Sequence, residues 1–183
     1  MRSLVDVHHI FREVTRFLDE TFSFADLVEF IEQHRGHELC FETCPIPLLL
    51  SPTITAFIVP LRDCDLICTR VGLDVERKAQ AQLHEMGHLL SGDIDLCKDV
   101  SSVPTKAEFL QNTTLRDCYI QRLVFRQGTL YAEGERTAYD LLHEQQIETL
   151  ATLLKERIEQ YHLLMPPTVQ LLYGYQEEKT PNE

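Results

Sequence analysis

Apolar residues recur every three or four positions along the start of this chain. Leu4, Val7, Ile10, Phe11, Val14, Phe17 and Leu18 fall on one side of a helix predicted from Leu4 to Glu20. A second helix starts at Thr21 or Ser23, buries Phe24, Leu27, Val28, Phe30 and Ile31, and stops at Gly36. From His37 to Thr69 the pattern changes to strands. Glu38 to Thr43, Thr53 to Leu61 and Asp65 to Arg70 are short, apolar or β-branched, and separated by turn residues. Three strands so close in sequence predict a small antiparallel or mixed sheet, in its simplest form a meander.

The third strand leads into another helix. Asp74, just after Gly72, is a suitable N-cap, and Val75, Ala79, Leu83, Met86 and Leu90 form an apolar stripe. That helix stops near Ser91-Gly92. Ser91 to Thr114 holds Gly92, Asp93, Asp95, Ser101, Ser102 and Pro104, and reads as a long loop with Asp93 and Asp95 in a solvated turn. Tyr119 to Phe125 is either strand or helix. Arg136 to Tyr161 is a long helix whose apolar face comprises Leu141, Leu142, Ile147, Leu150, Ala151, Leu153, Leu154 and Ile158. Pro166-Pro167 ends it, Thr168 to Tyr175 is a short strand or loop, and Gln176 to Glu183 is a polar tail. Helices before and after a compact run of strands make this an α+β chain.

Composition narrows the function classes. A length of 183 residues suits one domain, and 44% hydrophobic with 25% charged residues is ordinary for a soluble protein. A formal net charge of −12 disfavours direct binding of nucleic acid. No apolar run spans a bilayer, and residues 1–9 lack the apolar core of a signal peptide, so the expectation is a cytoplasmic protein without membrane association. The six cysteines then read as reduced, buried thiols. Cys40-x3-Cys44 with Cys64-x3-Cys68 is the alternative, a structural four-cysteine zinc site.

The chemistry concentrates at His84-Glu85-Met86-Gly87-His88. Residues four apart share a helix face, so His84 and His88 can address one Zn2+ ion. Glu85, one residue along, can take a proton from a water held there. Gly87 removes side-chain bulk beside the metal. A catalytic zinc site takes three protein ligands. Glu144 and Glu148, four apart on the long late helix, supply the third; one would ligate and the other would hydrogen-bond a ligating histidine. A solvated helix face is the competing reading of both.

The stretch from Ile67 to Gly92, with Ala81-Gln82-Leu83-His84-Glu85-Met86-Gly87-His88-Leu89-Leu90 at its centre, resembles the ImmA/IrrE family of zinc metallopeptidases. Glu144-Gln145-Gln146-Ile147-Glu148-Thr149-Leu150-Ala151 is similar to that family's later helix. The resemblance covers about residues 37–155. It implies a zincin-like fold, with a small sheet packed on the H-E-x-x-H helix and on a later Glu-bearing helix. Residues 1–36 would be N-terminal helices of the same domain, 37–165 the catalytic domain and 166–183 a C-terminal extension. The resemblance gives Glu144 the ligand place and Glu148 the place behind a histidine, with Ile147 where the family has Ala. A register one turn later would make Glu148 the ligand. Strand followed by H-E-x-x-H helix is the zincin order, in which an edge strand binds extended peptide.

The expected function is that of a zinc-dependent endopeptidase. His84, His88 and Glu144 hold zinc, and Glu85 is the general base. Tyr139 and Tyr131 are candidate oxyanion donors. The resemblance implies a protein substrate, a DNA-binding repressor or an antitoxin. The rival expectation is a non-catalytic interaction protein that retains the metal site. A hydrolase acting on a non-peptide amide is a third.

Overall fold

The computed structural model of the chain describes residues 6–44, 54–92, 103–127 and 138–164, with the backbone alone at 121–127 and 138–140. These residues form a mostly helical α+β fold around one small mixed sheet. The elements run α1 (Val7–Leu18), α2 (Phe24–Arg35), β1 (Glu38–Cys44), β2 (Ala56–Pro60), β3 (Cys64–Arg70), α3 (Val75–Ser91), α4 (Lys106–Gln111), α5 (Thr113–Gln127) and α6 (Ala138–Leu164).

Local chemistry sets most of these ends. The Ser23 hydroxyl accepts from the Asp26 N–H while Asp26 accepts from the Ser23 N–H, a capping box that starts α2. Gly36 closes α2 in the left-handed region, at φ 65°. The Asp74 carboxylate accepts from the Arg77 N–H at 2.8 Å, which fixes the start of α3. Gly92, at φ 73°, ends that helix one turn past His88.

The sheet is not a meander. Its order is β1-β3-β2, with β1 parallel to β3 and β2 antiparallel to it. β2 and β3 form a hairpin closed by the Leu61 N–H donating to the Cys64 carbonyl at 2.8 Å. β1 then pairs with the other edge of β3. The reason lies in burial. Six of the seven β3 residues are buried, so this strand needs neighbours on both sides. β1 carries Glu38 and Glu42 and tolerates an edge.

The two sheet faces bear different cores. Leu39, Ile58 and Ile67 point to one face, where they meet Leu27 and Ile31 of α2, Leu83, Met86 and Leu89 of α3, and Leu150 and Leu154 of α6. Cys40, Phe57, Val59, Cys64, Leu66 and Cys68 point to the other, against Phe109 of α4 and Tyr119 and Ile120 of α5. At the sheet margin, the Arg35 Nε donates to Oδ2 of buried Asp65 at 2.9 Å and ties the end of α2 to the start of β3.

Several expectations need correction. The 91–114 stretch is not one loop: Thr105 and Glu108 form a capping box, and buried Phe109 makes α4 worth folding. Residues 93–102, with Asp93, Asp95 and Cys97, lie outside the described residues. Tyr119 to Phe125 is helical, as part of α5, and the Tyr119 hydroxyl donates to the Pro60 carbonyl at 2.6 Å. Val75 is 80% exposed and Phe17 74% exposed, so neither joins the core its spacing suggested. The buried stripe of α3 begins a turn and a half later, at Ala81. Leu141 and Leu142 are exposed and do not join the core their spacing suggested. Residues 165–183, including the Thr168–Tyr175 stretch, lie outside the described residues. No described helix is long and apolar enough to cross a membrane.

Candidate metal centre

α3 and α6 pack antiparallel, and a ladder of side chains marks their seam. The Lys155 ammonium meets Glu76 at 3.0 Å. Next along α3, the Gln80 amide meets Glu148, His84 meets Glu148 and Glu144, and His88 meets Glu144. Steps of four residues along α3 keep Gln80, His84 and His88 on one face. Glu144 and Glu148 share a face of α6 for the same reason.

Close approach at Gly87 makes this seam possible. A Cβ built there would lie 3.0 Å from the Ile147 Cγ2 and 3.8 Å from the Leu150 Cδ2. Gly87 is therefore the contact point of the two helices, and not spare room beside a metal. Ile147 is fully buried at this crossing, where it fills the space opposite the glycine.

Three donor atoms converge above the crossing. The His84 Nε2 and His88 Nε2 are 3.3 Å apart. Glu144 Oε2 lies 3.4 Å from the first and 3.7 Å from the second. Two ligand atoms each bonded to a tetrahedral zinc at about 2.0–2.1 Å are about 3.3–3.4 Å apart, so the triangle has the size of one face of that coordination shell. Among the described residues, His84, His88 and Glu144 are the group able to hold a metal ion. Three electron-rich atoms this close favour a cation in their midst, whether a proton or a metal.

Charge around the triangle follows. Burial works against charge on His84, but Glu144, Glu85 and Glu148 outweigh it and raise the imidazole above its ordinary value. Burial also opposes ionisation of Glu144, yet hydrogen bonds from His84 and His88 hold its carboxyl well below the usual range. The His84 Nδ1 donates to Glu148 Oε2 at 2.8 Å. A carboxylate can only accept, so Nδ1 carries a proton; when a metal takes the place of the proton that Nε2 shares with Glu144, the Nε2 lone pair turns to the ion.

Glu85 lies on the same helix and is 7% exposed. Burial pushes its carboxyl above the ordinary range, with His88 and His84 pulling the other way. Tyr131 and the side chain of Tyr139 lie outside the described residues. Two neighbours of the triangle were missed in the sequence. The His143 ring sits 5.9 Å from the His88 ring, tilted 42° to it. Gln80 anchors Glu148, and its place one turn before His84 was the signal available.

The four strand cysteines do not gather into a second centre. The Cys64 thiol is hydrogen-bonded to Cys40, and the Cys68 thiol to Cys44. They form two separate pairs along the sheet, and among the described residues no cluster of three or more sulfur ligands occurs. All five described cysteines are free thiols.

Comparison of the chain with protein-family models, with curated proteins and with solved structures finds no match.

Proposed function

We propose that this chain is a zinc-dependent metallo-endopeptidase with a zincin-like domain, allied to the ImmA/IrrE family by the motifs around His84 and Glu144. The observation that carries the reading is the triangle of His84 Nε2, His88 Nε2 and Glu144 Oε2, sized for one tetrahedral ion. Such a set leaves the fourth position of a tetrahedral ion to water or substrate, the mark of a catalytic rather than a structural site. Glu144 takes the ligand role and Glu148 the role behind His84, where its carboxylate fixes the ring and its tautomer.

Zinc bound there supplies Lewis acidity toward a peptide carbonyl and lowers the pKa of water. The chain supplies the proton chemistry. Glu85, held in a buried setting that makes its carboxylate more basic, accepts a proton from the attacking water. The same carboxyl returns that proton to the departing amine. His84 and Glu148 stay fixed through both steps, since the Nδ1–H is engaged throughout.

The substrate class comes from the family likeness: a DNA-binding repressor or an antitoxin, met in the cytoplasm. The acidic chain, at −12, suits a basic protein of that kind. The test is Glu85→Gln. It should keep about one zinc per chain and lose cleavage of such a substrate by roughly 10²–10⁴-fold. Cleavage at the wild-type rate by the zinc-loaded variant would overturn the mechanism.

A further inference from the structure

We infer that Gln80 is a positioning residue of the metal centre: its side-chain amide holds Glu148, and Glu148 in turn holds His84 with Nε2 facing His88 and Glu144. The inference rests on the metal-site reading above and adds a residue that the H-E-x-x-H pattern does not contain.

The Glu148 carboxylate has two oxygens, and the structure gives each a donor on α3. Gln80 Nε2 donates to Oε1 at 2.8 Å and His84 Nδ1 donates to Oε2 at 2.8 Å. Both donors stand on α3, one turn apart, so the carboxylate bridges two rungs of one helix. This geometry determines the orientation of all three groups. The carboxylate only accepts, so Gln80 must present its NH2 and His84 its Nδ1–H.

Glu148 needs the second anchor. Its side chain is 55% exposed, and an exposed glutamate has several rotamers and freedom about its last torsion. A single hydrogen bond to an imidazole would leave the carboxylate swinging between ring and solvent. With Gln80 on the other oxygen, one arrangement remains. The amide also does this without charge. A lysine or arginine at position 80 would draw off the negative charge that Glu148 presents to His84, whereas glutamine leaves it intact.

The tie is not needed to hold the two helices together. The Glu76–Lys155 ion pair and the close packing of Gly87 on Ile147 join α3 to α6 on either side of it. Loss of the amide should therefore loosen the histidine and leave the fold alone.

The test measures zinc affinity of the full chain, by competition with a chromophoric chelator, in wild type, Gln80→Met, Glu148→Ala and the double variant. Methionine keeps the length of the side chain and removes the donor. Glu148→Ala should weaken zinc binding by roughly 10–100-fold. Gln80→Met should weaken it by roughly three- to tenfold, with the melting temperature of the metal-free protein unchanged. The double variant should bind no more weakly than Glu148→Ala alone, since without the carboxylate the amide has nothing to hold. The visible spectrum of the cobalt-substituted Gln80→Met protein should shift toward that of Glu148→Ala. Wild-type affinity in Gln80→Met, additive losses in the double variant, or an unshifted cobalt spectrum in Gln80→Met would each overturn the relay while leaving the metal centre standing. A wild-type chain that takes up no zinc would overturn the centre and the relay together.

Discussion

The two faces of the sheet each carry a set of metal-capable side chains, and only one set converges. On the face covered by α3, His84 and His88 stand four residues apart and their Nε2 atoms meet at 3.3 Å. On the far side, Cys40 and Cys44 are also four residues apart, as are Cys64 and Cys68, and they do not meet. The spacing is the same and the backbone differs. Four residues advance a helix by about 6 Å and return to the same face, while four residues of strand cover about 13 Å. Cysteines spaced four apart on neighbouring strands therefore give two cross-strand pairs. The same interval on a helix gives a single pole. Spacing reads as ligand geometry only after the element is known.

The largest expected effect breaks that comparison directly. Wild-type protein should bind about one zinc per chain, as elemental analysis would count it. His88→Ala should bind almost none, and the double variant Cys40→Ser/Cys68→Ser should still bind one. Two zinc ions in wild type, or loss of zinc in the cysteine variant, would mean that the sheet face is a ligand site after all.

A smaller effect tests the packing beneath the triangle. Gly87→Ala gains about 1 kcal/mol of helix propensity. It also drives a methyl to 3.0 Å from the Ile147 Cγ2, and Ile147 is wholly enclosed. Overpacking of this kind costs about 1–3 kcal/mol, so the net change should be a loss of about 1 kcal/mol, seen as a melting temperature lower by about 2–4 °C. Because Glu144 stands three residues before Ile147, the shift of α6 should weaken zinc binding too. A variant more stable than wild type with undiminished affinity would show that the helix crossing has slack, and that the triangle does not depend on it.

The helices that build the site were legible in the sequence, and so was the convergence of His84 with His88. Both follow from a 3.6-residue repeat that needs no tertiary information. Asp74 and Gly92 marked the ends of α3 by their own hydrogen-bonding and backbone preferences. Pairing was not legible. Nothing local says that β1 lies parallel to β3 rather than beside β2, because the choice depends on which strand must be buried on both sides. The residues alone left Glu144 and Glu148 open, being one turn apart on one face, and only the family resemblance put Glu144 in the ligand place with Glu148 as the alternate. What separates their positions is the rotation of α6 against α3, set by Ile147 seated on Gly87. α4 was missed because six residues carry too little periodicity, although Thr105 and Glu108 had the capping-box spacing.

The smallest prediction sharpens the contrast from the cysteine side. Within the Cys44–Cys68 pair the two thiols are unlike. Cys44 is half-buried at the end of an edge strand, and Cys68 is fully enclosed. Cys68 donates to Cys44, which lowers the Cys44 pKa from the ordinary thiol value against the effect of burial, and Arg116 adds to the lowering. The hydrogen bond and burial both raise that of Cys68. Thiolate is the species that reacts with iodoacetamide. A depressed pKa means that Cys44 becomes thiolate at lower pH than an ordinary cysteine, so its alkylation should level off at lower pH. Of the four strand cysteines it should be modified first, as peptide mapping by mass spectrometry would record. Cys68→Ala removes the donor and should move the Cys44 profile to higher pH. An unchanged profile in that variant would mean that Arg116 alone sets the thiolate, and that the cross-strand pairs are neighbours without a working hydrogen bond.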